Sequence, residues 1–426
     1  MPLPNYQVRA VGCDYRASQD EIYSALKRAT DPLSRAWEKL QSAKRIAIKF
    51  NQDWKVAPRI FEGHHQEHVS KQTARALLRL LRERTTAKLV CVDVSVFKTW
   101  YVPPPENTTW LTDVFQEYDV EYVDWNQPPI RSYAVPGGGL MFAHYFLPEE
   151  LAQTDALISV QKMKNHAFMG ITLCLKNLFG IITMDPLGRP RHYYHHLVRM
   201  PYMLADIGRI FNPALNVIDA LTSQAGAEWN SDQPRITNTL VAGDHVVATD
   251  ACGAYLMGHD PRADWLTPPF HRDRNALLVA AQSGFGTVRL DEIDFQSEVQ
   301  APLGTFFSVC TDSRARVINW QRTMAEQALY YRDHQRELVS QYAREYILLQ
   351  RGQVIHHDAS GRLKTSRRLI SGDYPDDAIF VKYVDPEEFD GEYFEVYEQT
   401  LEEIKALPPS TEAAPPVDVP PPQEVR

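Results

Sequence analysis

Four short apolar runs constrain the fold of this chain more than any other feature: "RIAIKFN" (45–51), "KLVCVDVS" (88–95), "VEYVDW" (120–125) and "DALISVQ" (155–161). Each has the length and apolar character of a strand, and "KLVCVDVS" that of one buried on both faces. Between the first two lies "EHVSKQTARALLRLLRER" (67–84), which carries Val69, Ala76, Leu77, Leu80 and Leu81 at helical spacing. The stretch "TTWLTDVFQEY" predicts a second helix before the third strand. Strands alternating with helices at these lengths predict an α/β fold, a mostly parallel sheet with flanking helices.

Beyond them, "PPIRSYAVPGGGLMFAHYFLPEE" breaks the alternation and reads as an insertion or an antiparallel excursion. "GITLCLKNLFGII" predicts a helix begun after a glycine, with Ile171, Leu175 and Leu178 on one stripe. "HLVRMPYMLADIGRIF" predicts an amphipathic helix, and "LNVIDAL" (215–221) and "TNTLVAGDHV" (237–246) predict two strands. "VATDACGAYLMG" reads as a buried helix closed by Gly258. The expected organisation is an N-terminal extension (1–43), an α/β core (44–300), a helical segment (301–344) and a small α+β appendage (345–407). The tail 408–426 holds seven prolines in nineteen residues and is expected to be disordered.

A chain of 426 residues, 44% hydrophobic and 23% charged, can bury a sizeable core. Its formal net charge of −9 argues against broad nucleic-acid binding, which needs a basic footprint. Cys13, Cys91, Cys174, Cys252 and Cys310 form no CxxC pair, so no cysteine-ligated iron–sulfur cluster and no zinc knuckle is expected. Reduced thiols, an N-terminus without a basic-then-apolar leader, and the lack of any run near ~20 apolar residues predict a cytoplasmic protein with no membrane partner.

Against that acidic balance, residues 162–199 contain six Lys or Arg, four His and a single acid, Asp185. In an open α/β sheet, ligands bind outside the carboxyl ends of the strands. Lys162, Lys164 and His166 follow strand 155–161, while Lys49 and Asn51 end the first strand. Any one of these lysines could be a solvated rim; together they predict a pocket for an anionic small molecule, a carboxylate or a phosphate. A lysine beside other cations in a partly buried pocket has its pKa drawn toward neutrality. Lys176 and Asn177 in "LKNLFG" fall on the flank of the predicted helix, whose first N–H groups would favour an anion. Lys176 is therefore expected in the pocket of Lys164 and His166.

Three further patterns invite chemistry. His192, His195 and His196 in "RPRHYYHHLVR" are spaced to share a helix face, where they could hold a divalent metal or exchange protons. "GHHQEH" (63–68) matches the H-x-x-E-H pattern of some zinc peptidases in His64, Glu67 and His68. Its place in a strand-to-helix connection, with no downstream acidic ligand, favours a histidine contributed to the sheet-edge pocket instead. Asp219, Asp244 and Asp250 are the candidate acids: Asp244 fits a helix N-cap, and Asp250 on an apolar helix needs a cationic or hydrogen-bonding partner. "PGGGL" (136–140) lacks the strand-before, helix-after context of a nucleotide loop.

These residues resemble the family catalogued as domain of unknown function 362. The likeness is carried by "IKFN", "TDALISVQKMKNH", "GITLCLKNLFG", "NVIDAL" and "AGDHVVATDACGAYLMG", and spans residues from about 44 to 290. By this resemblance Lys49, Asn51, Lys162, Lys164, His166, Lys176, Asn177, Asp219, Asp244 and Asp250 occupy the motif positions. Many relatives add a cysteine-rich ferredoxin-like segment that this chain lacks, and the glycine-rich stretch after "iDa" is altered here to "LTSQAGAEW".

The combined expectation is an enzyme whose Lys162, Lys164, His166 and Lys176 transfer protons beside a carboxylate or phosphate, as isomerases, racemases or lyases do. Lys49, Asn51, Asn177, Asp219 and Asp250 are expected to bind the ligand. A distant likeness to nickel-pincer lactate racemases has no motif-level match. The alternatives are a non-catalytic cofactor-binding or assembly protein, and a metal-dependent enzyme using the His192–His196 cluster.

Overall fold

A computed structural model of the chain describes residues 6–52, 59–94, 109–125, 129–183, 194, 198–227, 232–310, 312–360, 380–388 and 391–408. The tail beyond Pro408 and the cluster His192, His195 and His196 lie outside the described residues.

A nine-stranded sheet organises the molecule. Its strands in chain order are β1 (Tyr6–Gly12), β2 (Arg45–Phe50), β3 (Lys88–Asp93), β4 (Glu121–Asp124), β5 (Ala156–His166), β6 (Gly170–Thr172), β7 (Leu215–Gln224), β8 (Pro234–Gly243) and β9 (Ile293–Ser297). The spatial order is β9-β1-β8-β7-β5-β2-β3-β4, with β6 paired on β5. All neighbours are parallel except where β8 runs against β1 and β7, and β6 against β5. The carboxyl ends of β2, β3, β5 and β7 therefore lie along one edge, as the strand–helix alternation predicts.

The stretch expected to be an N-terminal extension is part of this sheet. β1 fills the gap between β8 and β9, and helices Gln19–Thr30 and Ser34–Ser42 follow it. The first of these has a full capping box from Ser18 and Glu21. Helix Lys71–Arg84 buries Ala74, Leu77, Leu78 and Leu81 on one stripe, and starts where the Ser70 hydroxyl accepts the Thr73 N–H. These helices cover one face with Ile46, Ile48, Phe50, Ile158, Val160 and Val217. Helices Met200–Phe211, Val246–Leu256 and Ala276–Gln282 cover the other with Ala47, Leu157, Met163 and Ile218. Burial on both faces accounts for the near-continuous apolar reading of β5 and β7.

Two expected elements differ. The segment 170–182 is not one helix: Gly170, at φ +76°, turns the chain back so that β6 pairs with residues 164–166. A helix of four residues, Cys174–Asn177, and a 3₁₀ turn, Leu178–Ile181, follow. Asp244 is not an N-cap either. His245 holds that position, while Asp244 accepts the Gln7 N–H (2.9 Å) and pairs with Arg35 (2.8 Å), pinning β1 to helix 34–42.

The described residues of 314–408 pack against the second layer. Helix Arg314–Asp333 and helix Glu395–Ala406 flank an antiparallel sheet of Gln353–Asp358, Tyr346–Gln350 and Val381–Tyr383. Buried Arg199 links core and appendage, bonding Asp273 (2.7 Å) on one side and Thr400 on the other. "PGGGL" also finds its role here. The N–H groups of Leu140, Met141 and Phe142 and the Tyr145 hydroxyl all donate to the buried Asp206 carboxylate, at 2.6–3.2 Å. Gly139 leaves room for this wrap, since a Cβ there would lie 1.9 Å from the Phe142 oxygen. The same segment continues through Ala143 N–H to Gly391 O (2.9 Å) in the appendage. Among the described residues no helix is long and apolar enough to cross a membrane.

Asp250, the carboxylate that required a partner, receives the N–H groups of Cys174 (2.9 Å) and Leu175 (2.7 Å). Burial pushes its pKa up to about 7, against the two backbone hydrogen bonds that lower it. A carboxyl raised in the folded state contributes stability that is complete below the ordinary value and is lost as pH rises through about 7. Asp250→Asn leaves one acceptor for two N–H groups and should destabilise the fold at acid pH by about 1–3 kcal/mol. It should also flatten the decline in stability between about pH 4 and pH 7. Urea unfolding across that range measures both effects.

Candidate functional site

The carboxyl edge of β5 departs from expectation in a way that defines the site. The strand runs eleven residues to His166, all of them buried, so Lys162 and Lys164 lie inside a core strand rather than beyond its end. By the two-residue alternation they share the face of Ile158 and Val160, toward helix 71–84. Lys162 is 0% exposed, donates to the Thr222 hydroxyl (2.9 Å) and stands 3.5 Å from the Asp219 carboxylate. Asp219 accepts the Ser70 N–H (2.7 Å) at the start of helix 71–84 and the Leu221 N–H (3.3 Å) beside it. Desolvation lowers the Lys162 pKa, and Asp219 opposes that by favouring the ammonium.

Lys164 donates to the Glu67 carbonyl (3.0 Å) in the loop that enters helix 71–84. That loop is organised by His65, whose Nδ1 accepts the N–H groups of both Glu67 and His68, each at 3.2 Å. Its Nδ1 therefore carries no proton. The His65 ring sits against His68 (4.4 Å between centroids) and Trp110 (4.9 Å). Burial and then Lys162 and Lys164 lower the His65 pKa to about 3. His68 is also pushed well down, by burial first and then by His65 and the lysines 164, 49 and 162. Both imidazoles are neutral at physiological pH beside cations. The remaining histidine, His64, approaches Tyr15 O at 2.6 Å through Nε2, and burial lowers its pKa too.

The other predicted residues distribute over two faces. Lys49 shares the Ala47 face, opposite to Lys162, where its ammonium bonds Asp93 (2.8 Å) and Phe50 O (2.7 Å). Gly180 makes this approach possible: a Cβ there would fall 2.4 Å from Lys49 Cε. Asn177 donates to Lys49 O, Ser159 Oγ and Val160 O at 3.0–3.1 Å, fastening the short helix across β2 and β5. Asn51 accepts from Gln161 (3.1 Å) at the same edge. His166, the last residue of β5, accepts the Phe168 and Met169 N–H groups through Nδ1, at 3.0 and 3.2 Å.

Lys176 does not join Lys164. It is half-buried on the second face over the Phe179 ring (4.5 Å), in a small hollow with Leu204, Asp250 and Phe270. The predicted anion seat at the start of helix 174–177 is taken by Asp250. The zinc-peptidase pattern also lacks its scaffold, since helix 71–84 begins after His68. Among the described residues no three His, Cys, Asp or Glu side chains are grouped to hold a metal. All five cysteines are buried and none is in a disulfide. Asp93 and His65 were not foreseen; an acid ending the apolar strand "KLVCVD" was the available signal for the first.

Parts of the chain are similar to known proteins. A thylakoid-associated protein of Synechocystis is 27% identical over 125 residues, which are 28% of this chain and 38% of that protein. The chain thus spans well under half the length of that curated relative. The lactate racemase apoprotein of Thermoanaerobacterium thermosaccharolyticum aligns over 59% of this chain and 56% of its own, with 14% identity and a TM-score of 0.37. Residues 46–255, which hold nearly all of β2 through helix 246–256 and the side chains of the edge just described, match the model of the family described as Domain of unknown function (DUF362).

Proposed function

We propose that the protein binds a small carboxylate- or phosphate-bearing molecule at the carboxyl edge of β2, β5 and β7, and moves a proton on it. The observation that carries this reading is the buried face of β5. Lys162 and Lys164 lie two residues apart beneath a loop whose histidines are neutral, so cations and an unprotonated base occupy one dry place. A cation there stabilises negative charge developing on a bound carboxylate, and an unprotonated imidazole presents a lone pair to a proton leaving carbon. Lys162 is tied to Asp219 and Thr222, which suits it to fixing the field of the site. Lys164 donates to the Glu67 carbonyl of the histidine loop, next to His68, and this place beside the loop suits it to meet the ligand.

Lys164→Met keeps the apolar stem and removes the charge. It should weaken binding of inorganic phosphate at least about tenfold, the value of one charge-assisted hydrogen bond, with thermal stability little changed. Calorimetric titration measures this. Unchanged phosphate affinity in a folded Lys164→Met protein contradicts the assignment. Hydrogen-to-deuterium exchange at carbon, over a panel of small hydroxy- and oxo-carboxylates in D2O, separates the two classes of function. Exchange supports the enzyme, whereas binding without exchange across the panel supports a non-catalytic carrier.

A further inference from the structure

We propose that His68 is the group that takes and returns the proton, and that His65 positions it. This rests on the anion-binding reading of the β5 edge and assigns its chemistry to a residue other than His166. Three observations meet at His68. His68 is 3% exposed and nothing among the described residues hydrogen-bonds its Nδ1; the Nδ1 of His64 in the same loop is in the same state, but that ring is held through Nε2 at Tyr15 O. Its backbone is the neighbour of the carbonyl to which Lys164 donates, so a ligand group on Lys164 lies beside this residue. Its ring packs on His65, which receives the His68 N–H and so fixes where the side chain leaves the main chain.

His166 is less suited to the same task, because its Nδ1 is engaged by the Phe168 and Met169 N–H groups. His65 is engaged in the same manner. Among the described residues, the charged groups that act on His68 are Lys164, Lys49 and Lys162, which together favour its neutral form.

The step balances within the site. The Nδ1 lone pair takes the proton from the carbon next to the ligand carboxylate, and the C–H bond breaks. Its electron pair moves onto the carboxylate as an enediolate held by the Lys164 ammonium, while His68 becomes an imidazolium. Return of the proton to carbon restores the neutral ring. No oxidant, reductant or further reactant is consumed.

The test uses the full chain with inorganic phosphate and the same carboxylates in D2O. His68→Gln should lower carbon–deuterium exchange at least about 100-fold, the usual range for loss of a general base, while phosphate affinity stays within about threefold. His65→Ala should shift the 15N resonances of the His68 ring and lower exchange. His65→Asn, whose amide oxygen can still accept the loop N–H groups, should restore both, which a merely structural role would not require. Exchange that survives His68→Gln, or His68 resonances indifferent to phosphate that binds, overturns this inference and leaves the anion site standing. An unmodified protein that neither binds phosphate nor exchanges any carboxylate overturns both.

Discussion

The structure of the site depends on keeping one ammonium inside the sheet. Lys162 is fully buried on a central strand, a position that costs several kcal/mol unless the charge is compensated. Compensation comes from Asp219 on the neighbouring strand and Thr222 beyond it, and Asp219 is in turn bonded by the first N–H of the Ser70 cap. One carboxylate therefore joins β5, β7 and helix 71–84. The loop before that helix carries His65 and His68, so the lysines and the histidines are set by a single charge pair.

The opposite face repeats the arrangement with different groups. Lys49 and Asp93 close β2 and β3, and Gly180 gives them space; the Gly180 carbonyl also takes the Val94 N–H at 3.2 Å. Asp250 bonds backbone, and Asn177 backbone and the Ser159 hydroxyl, which makes "LKNLFG" a fastening across strands rather than a ligand seat. The motif residues thus divide into those that hold the edge together and those that face the histidine loop.

Much of the fold was legible because central parallel strands are apolar throughout. β2, β3 and β7 announce themselves in this way, and the helix at 71–84 does so by its leucine stripe. The end of β5 was not, because Lys162 and Lys164 read as pocket residues at and beyond the end of a strand until Asp219 is seen beside them within the sheet. Chain reversals such as β8 and β6, and the return of the N-terminal segment as β1, depend on tertiary pairing that periodicity does not encode. For the site, the need of buried Asp250 for a partner was legible from its cost, although the partner proved to be backbone. The value of "HHQEH" was half legible: its histidines do reach the sheet edge, but the role of His65 appears only in the hydrogen bonds of the loop. His192, His195 and His196 fall outside the described residues, and their reading stays one from sequence.

The most direct measurement of the central claim is the position of a bound anion. Crystals of the full chain soaked in selenate should show an anomalous peak within hydrogen-bonding distance of Lys164 Nζ and beside the His68 ring. A peak confined to Lys176 on the other face, or none near β5 at saturating selenate, would contradict the account.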